Sequence, residues 1–173
     1  MKIAFIGTGL MGYPMAKNLI NQKLNLKVFS RTLEKAKPLE KLGAIIVNSL
    51  GEAVKEADIV ITMLTDDNAV EKVLGDQEFL NNLKISSTVI DMSSIKPKIA
   101  IKYGQLLKDR NIHFLDAPVS GGTIGAEEGS LAIMVGGDQN VFDKAFDTLK
   151  IMGNPTLVGP IGSGQVSKLA NQI

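Results

Sequence analysis

The chain has 173 residues, 45% hydrophobic and 21% charged, enough for one packed domain of ordinary soluble balance. A net charge of +1 gives no reason to expect nucleic acid or a membrane surface as partner, and no apolar run approaches the length of a membrane span. Cysteine is absent and His113 is the lone histidine, which excludes disulfides, thiolate metal sites and multi-histidine centres; no metal is expected, and the expected address is the cytoplasm.

The first element is a short apolar strand, Ile3 to Ile6, which runs into Gly7-Thr8-Gly9-Leu10-Met11-Gly12. Apolar residues then recur at Leu10, Met11, Met15, Ala16 and Leu19, the spacing of one helix face. Strand, glycine turn and helix in this order form a dinucleotide fingerprint. Gly7 makes the turn, Gly9 lets the backbone approach a pyrophosphate, and Gly12 lets the helix pack on the strand. The helix N-terminus would face the anion.

Leu26 to Ser30 reads as the second strand, followed by Arg31 and Thr32. NAD-binding versions of this unit place an acidic side chain near here to hold the ribose 2′-hydroxyl. Ser30, Arg31 and Thr32 instead offer a guanidinium and two hydroxyls, which suit the 2′-phosphate of NADP. NADP is therefore the expected cofactor, with NAD as second choice.

Leu33 to Leu42 is an amphipathic helix stopped by Gly43 and shortened or kinked by Pro38. Ala44 to Val47 is a short strand, Leu50 to Ala57 a short helix, and Asp58 to Leu64 a strand apolar enough for burial on both faces. Thr65-Asp66-Asp67 supplies a helix N-cap at the carboxyl edge. Ser87 to Ser94 is the next strand with its edge loop, Pro97 opens a helix to about Arg110, and Ile112 to Leu115 is another strand. His113 within that run reads as a packed or partly exposed strand residue. The alternation is that of βαβ units, so an α/β, doubly wound, mostly parallel sheet with helices on both faces is expected.

Asp116-Ala117-Pro118-Val119-Ser120-Gly121-Gly122 follows as a glycine-rich loop able to aim backbone N–H groups at an anion. Leu131 to Val135 is a strand, Val141 to Ile151 a helix, and Pro155 to Val158 a final strand. Gly162-Ser163-Gly164 then opens a helix on which Lys168 and Asn171 share a face. A domain seldom stops with an apolar helix face just begun, so the sequence reads as part of a longer protein: residues 1–162 as a dinucleotide-binding domain and 163–173 as the start of an interdomain helix.

Four stretches together resemble the β-hydroxyacid dehydrogenases, the 3-hydroxyisobutyrate dehydrogenases and tartronate semialdehyde reductases among them, with 6-phosphogluconate dehydrogenase as a distant cousin. They are Gly7 to Ala16, Phe29 to Thr32, Asp116 to Gly122, and Gly162-Ser163-Gly164 with Lys168-Leu169-Ala170-Asn171-Gln172. The resemblance implies a Rossmann-type cofactor domain and a C-terminal helical domain that completes the substrate pocket and forms a homo-oligomer. It implies a pyrophosphate loop at Gly7, Gly9, Leu10, Met11 and Gly12, and a 2′-phosphate pocket at Arg31 and Thr32. Met63, Leu64 and Ser94 would line the ribose and nicotinamide. Ser120, Gly121 and Gly122 would hold the substrate carboxylate, Asn171 would help hold substrate, and Lys168 would be the catalytic lysine.

Ser30 and Gln172 depart from the asparagines common at those positions. Lys-Leu-Ala-Asn-Gln is more like the semialdehyde reductases than the hydroxyisobutyrate type, so the implied substrate is a small carboxylate-bearing aldehyde or its hydroxyacid. The implied activity is NADP(H)-dependent interconversion of the two. A cofactor-binding piece without turnover, and an interaction protein that keeps only the fold, are the alternatives; the presence of Lys168 weighs against the latter.

Overall fold

Alternate residues of the central strands serve two different cores. Ile3 and Phe5 of β1 (Lys2–Ile6) and Ile59 and Ile61 of β4 (Ile59–Thr62) join one buried cluster, while Ala4, Ile6 and Val60 join another. Successive strand side chains point to opposite faces, so a strand buried at every position needs helices on both sides. The computed structural model describes the whole chain, residues 1–173.

The first core is closed by Met15 and Leu19 of α1 (Gly12–Asn21), Leu39 of α2 (Leu33–Glu40), Ala126 of α7 (Gly122–Glu128) and Phe142 and Leu149 of α8 (Gln139–Met152). Val54 of α3 (Leu50–Val54), Leu74 of α4 (Asp67–Leu74), Phe79 of α5 (Gln77–Asn82) and Tyr103 and Leu107 of α6 (Pro97–Lys108) close the second. Full burial of one such side chain is worth about 2 kcal/mol, so both faces contribute. No helix is long and apolar enough to cross a membrane.

Six strands run parallel in the order β3 (Ile45–Ile46), β2 (Asn25–Phe29), β1, β4, β5 (Thr88–Asp91) and β6 (His113–Asp116). Beyond β6 the sheet continues through β8 (Leu131–Gly136), which is antiparallel to β6 and to β7 (Val119–Ser120) and parallel to β9 (Gly153–Gly159). The last helix, α9 (Ser163–Asn171), packs on β8 and β9. Strand order reverses between β1 and β4, and a sheet of this kind opens its ligand crevice outside the carboxyl ends at such a point. The doubly wound, mostly parallel Rossmann-type architecture expected from the alternation is present.

Several boundaries differ from the sequence reading. α2 ends at Glu40, before the glycine at 43, which has φ +111, and α3 ends at Val54 ahead of Glu56 at φ +66. The third strand is reduced to two residues, and the last strand extends from Gly153 to Gly159. The N-cap expected at Thr65-Asp66-Asp67 is Asp66, which opens α4 and accepts from the Ala69 N–H at 2.8 Å; α5 was not expected, and Asp76 caps it, accepting from the Phe79 N–H at 3.0 Å. The stretch 116–122 is less of a loop than expected: Ser120 ends β7, and Gly121 at φ +140 turns the chain into α7.

Candidate functional site

The expected site residues gather along the carboxyl edge of the sheet. At its centre the Gly7 N–H donates to the Phe29 carbonyl at 3.0 Å, and the Met63 N–H to the Ile6 carbonyl at 2.9 Å, so the turns after β1, β2 and β4 are tied together. Gly7 has φ +101, and a Cβ there would run into the Met63 carbonyl oxygen. Gly12 has its own reason to lack a side chain: a Cβ would strike the Gly7 carbonyl oxygen and approach the Phe5 ring. Gly9 differs from both, because nothing lies within 4 Å of the place its Cβ would take. Leu10 is exposed, and Met11 is half-buried at the N-cap of α1.

A dinucleotide fits this cradle. α1 starts with no side-chain cap and no acidic residue in its first turn, so its leading N–H groups are left for an outside anion. The Thr8 hydroxyl is only 3% exposed at the residue level and has no hydrogen-bond partner, an orphan at the bottom of the same turn. Thr8, Gly9, Leu10 and Tyr13 line a cleft of about 590 Å³, with Lys17 and Lys35 on its rim. At the end of β2, Ser30 is buried, while Arg31 and Thr32 are exposed. Arg31 makes no ion pair, and the Thr32 side chain makes no capping bond to α2 although it occupies the N-cap. Lys17 and Lys35 carry no motif of their own and were missed in the sequence; their signal was positive charge within the first two turns of the two helices beside the cleft.

The next turns are held by a buried polar network. The Leu64 N–H donates to the Ser93 hydroxyl at 2.8 Å, the Ser93 hydroxyl to Asp91 Oδ1 at 2.7 Å, and the Thr62 hydroxyl to the same oxygen at 2.8 Å. Asp91 Oδ2 has no partner. Burial pushes the Asp91 carboxyl up to about 6, against the hydroxyls of Ser93 and Thr62, which pull it down. Met63 and Leu64 are half-buried beside this network, and Ser94 stands exposed just after it.

Asp116, the β6 neighbour of Asp91 in register, anchors the last helix. Its Oδ1 accepts from the Gly162 N–H at 2.7 Å and its Oδ2 from the Gln165 N–H at 2.9 Å. A carboxylate is favourable at a helix N-terminus, where the dipole is positive. Burial raises the Asp116 pKa, and the Gly162 and Gln165 N–H groups work in the opposite direction. The side chain of Gln165 is locked as well: its Nε2 donates to the Ser93 carbonyl at 2.8 Å and its Oε1 accepts from the Ile95 N–H at 3.1 Å. One turn further on, Lys168 Nζ donates to Ser120 Oγ at 2.8 Å.

Lys168 and Ser120 are therefore together, half-buried, with Gly121 and Gly122 exposed at the adjacent turn. Asn171 lies exposed on the same helix and makes no side-chain hydrogen bond. His113 sits at the opposite end of β6, away from this edge, as a strand residue. Asp91, Ser93, Asp116 and Gln165 were not singled out from the sequence. An acid ending an otherwise apolar strand, in Val89-Ile90-Asp91 and again in Phe114-Leu115-Asp116, was the available signal, because a buried carboxylate must find donors.

Comparisons with known proteins agree with this fold. Residues 2–162 match the family model described as the NAD binding domain of 6-phosphogluconate dehydrogenase. The chain is 41% identical over 175 residues to 2-hydroxy-3-oxopropionate reductase of Escherichia coli, covering 100% of this chain and 60% of that protein. It is 41% identical over 172 residues to the NAD-dependent L-serine dehydrogenase of Pseudomonas aeruginosa, covering 98% and 58%. The solved Mycobacterium tuberculosis 3-hydroxyisobutyrate dehydrogenase with L-serine superposes with a TM-score of 0.94 at 35% identity, covering 98% of this chain and 58% of that one. The chain thus spans about three fifths of the length of these relatives. With a Rossmann-type sheet, an open glycine turn and a family match that spans every strand, the chain belongs to the family of the NAD-binding domain of 6-phosphogluconate dehydrogenase.

Proposed function

We propose that the protein is an NADP(H)-dependent oxidoreductase that interconverts a small β-hydroxyacid and its semialdehyde, with Lys168 as the group that moves the proton. The observation that carries this reading is the 2.8 Å contact between Lys168 Nζ and Ser120 Oγ at the carboxyl edge of the sheet. It joins a proton donor to a turn suited to a carboxylate. The relatives point to the same substrate class. A 2-hydroxy-3-oxopropionate and an L-serine both carry a carboxylate and an oxygen on the β carbon.

The residues divide the work. Gly7, Gly9, Leu10, Met11 and Gly12 would receive the pyrophosphate on backbone N–H groups, and Ser30, Arg31 and Thr32 the 2′-phosphate. Met63, Leu64 and Ser94 would border the ribose and nicotinamide. A reduced nicotinamide, when bound, supplies the hydride that this chemistry needs. Ser120 and the Gly121 and Gly122 amides would hold the substrate carboxylate, and Asn171 would orient its oxygen. Lys168 would give its proton to the carbonyl oxygen as charge develops there, and recover it in the reverse direction.

Lys168→Ala tests the assignment. In the full-length enzyme, turnover of a semialdehyde acid should be abolished, while NADPH affinity, read by fluorescence titration, should stay within about threefold. A variant that keeps most of its rate would remove Lys168 from the mechanism.

A further inference from the structure

Gln165 is 1% exposed, and a buried carboxamide on a helix is retained only where its polar atoms are satisfied. Both are satisfied by one short piece of backbone. Nε2 donates to the Ser93 carbonyl and Oε1 accepts from the Ile95 N–H, so the side chain grips the chain on either side of Ser94. The same residue is held from the other direction, because its backbone N–H donates to Asp116 Oδ2. Asp116 fixes where α9 begins and packing on β8 and β9 holds one side of the helix, but apolar packing is less directional about the helix axis than a hydrogen bond. The two side-chain bonds of Gln165 add that directional restraint against roll. Lys168 lies three residues further on, on the same face, and its position follows from that roll.

We propose that Gln165 is a positioning residue that registers the lysine-bearing helix on the Ser93–Ile95 segment, and so sets the placement of Lys168 relative to a nicotinamide lying beside Ser94. The proposal rests on the function put forward above. It adds that the two halves of the site, cofactor edge and proton donor, are coupled through one carboxamide. The Ser93–Ile95 segment is itself rigid. Ser93 is bonded to Asp91 and Leu64, and the Lys96 N–H donates to Asp67 Oδ1 at 3.1 Å. Gln165 therefore ties α9 to a fixed reference. A displacement of about 1 Å at a reacting group can cost about a hundredfold in rate.

Gln165→Met keeps the length and volume of the side chain and removes both bonds. The expected result is a fall in kcat of at least tenfold with the semialdehyde KM within about threefold, since Ser120 to Gly122 are untouched. The Ile95 amide should lose hydrogen-exchange protection while the amides of β4 and β5 keep theirs. Wild-type kcat in Gln165→Met, or an equal loss in kcat and rise in KM, overturns the positioning role. If Gln165→Met does not fold, Gln165→Glu serves. It keeps the acceptor for Ile95 and sets an oxygen against the Ser93 carbonyl, and kcat should again fall with KM held. The failure of the wider reading looks different: Lys168→Ala would then keep its rate whatever the Gln165 variants do.

Discussion

Lys168 donates to Ser120 across 48 positions of sequence, and nothing local brings the two together. The contact exists because α9 is capped by Asp116 on β6, while Ser120 ends the short strand that follows β6. In Ser120→Ala the ammonium loses its acceptor and an incoming carboxylate loses a donor. Hydrogen bonds to charged groups are worth about 1.5–3 kcal/mol, so KM for the hydroxyacid should rise roughly tenfold or more. NADPH affinity should not move; steady-state kinetics and a cofactor titration separate the two. An unchanged KM would take Ser120 out of the carboxylate site.

Gly9 and Gly12 should fail in opposite ways. A methyl at position 12 meets the Gly7 carbonyl and the Phe5 ring in the core, so Gly12→Ala should lower the unfolding free energy by about 2 kcal/mol or more. A methyl at position 9 meets only open space, so Gly9→Ala should melt with the wild type and bind NADPH at least tenfold more weakly. Urea unfolding and fluorescence titration of the two variants are the check; equal stability losses would mean that Gly9 serves the fold and not the cofactor.

Arg31 is exposed and makes no ion pair, so replacing it costs the fold little. Arg31→Ala should weaken NADPH binding by about tenfold or more, the loss of one charge-assisted contact, and leave NADH binding within about threefold. If both cofactors weaken equally, the residue contacts a part that they share, and the preference for the 2′-phosphate lies elsewhere.

Asp91 should leave a mark on the pH dependence of stability. Its folded pKa of about 6 lies above the ordinary carboxyl value, so between the two the native state holds a proton that the unfolded chain has released. Stability from this group is complete below pH 4 and is lost as pH rises through about 6, by on the order of 3 kcal/mol. Oδ1 already accepts from Thr62 and Ser93, so the unpartnered Oδ2 is the oxygen free to take that proton. Asp91→Asn removes the titration, so the stability difference between variant and wild type should move in the variant's favour from pH 4 to pH 7. Denaturant unfolding across that range measures it, and a constant difference would refute the assignment.

The parts legible in the sequence were those written in local pattern. Gly7 to Gly12 after an apolar strand announced the central turn, and runs such as Asp58 to Leu64 announced buried parallel strands. Of α4 only the N-cap at Thr65-Asp66-Asp67 was legible, the six-residue α5 was not read at all, and the strand at Ile45–Ile46 is defined only by its pairing with β2. Lys168 and Ser120 were named through family resemblance, and their meeting could not be read from either residue's neighbours. Gln165 was harder still. A glutamine in a helix is ordinarily a solvated residue, and its burial depends on Ser93 and Ile95, some seventy positions earlier.

The position of β1 has a bearing on how the protein is made. β1 precedes both of its partners in the chain yet lies in the middle of the sheet, between β2 and β4, and cannot be covered on both edges until residue 62 has followed it from the ribosome. Its apolar residues Ile3 to Ile6 must wait exposed during that interval, and chains with such distant pairings fold slowly and are open to aggregation meanwhile. Lys168 comes after every strand. A nascent chain could therefore form the cofactor cradle well before it could carry out chemistry, and a nucleotide that binds the cradle would act as an early brace for the growing domain.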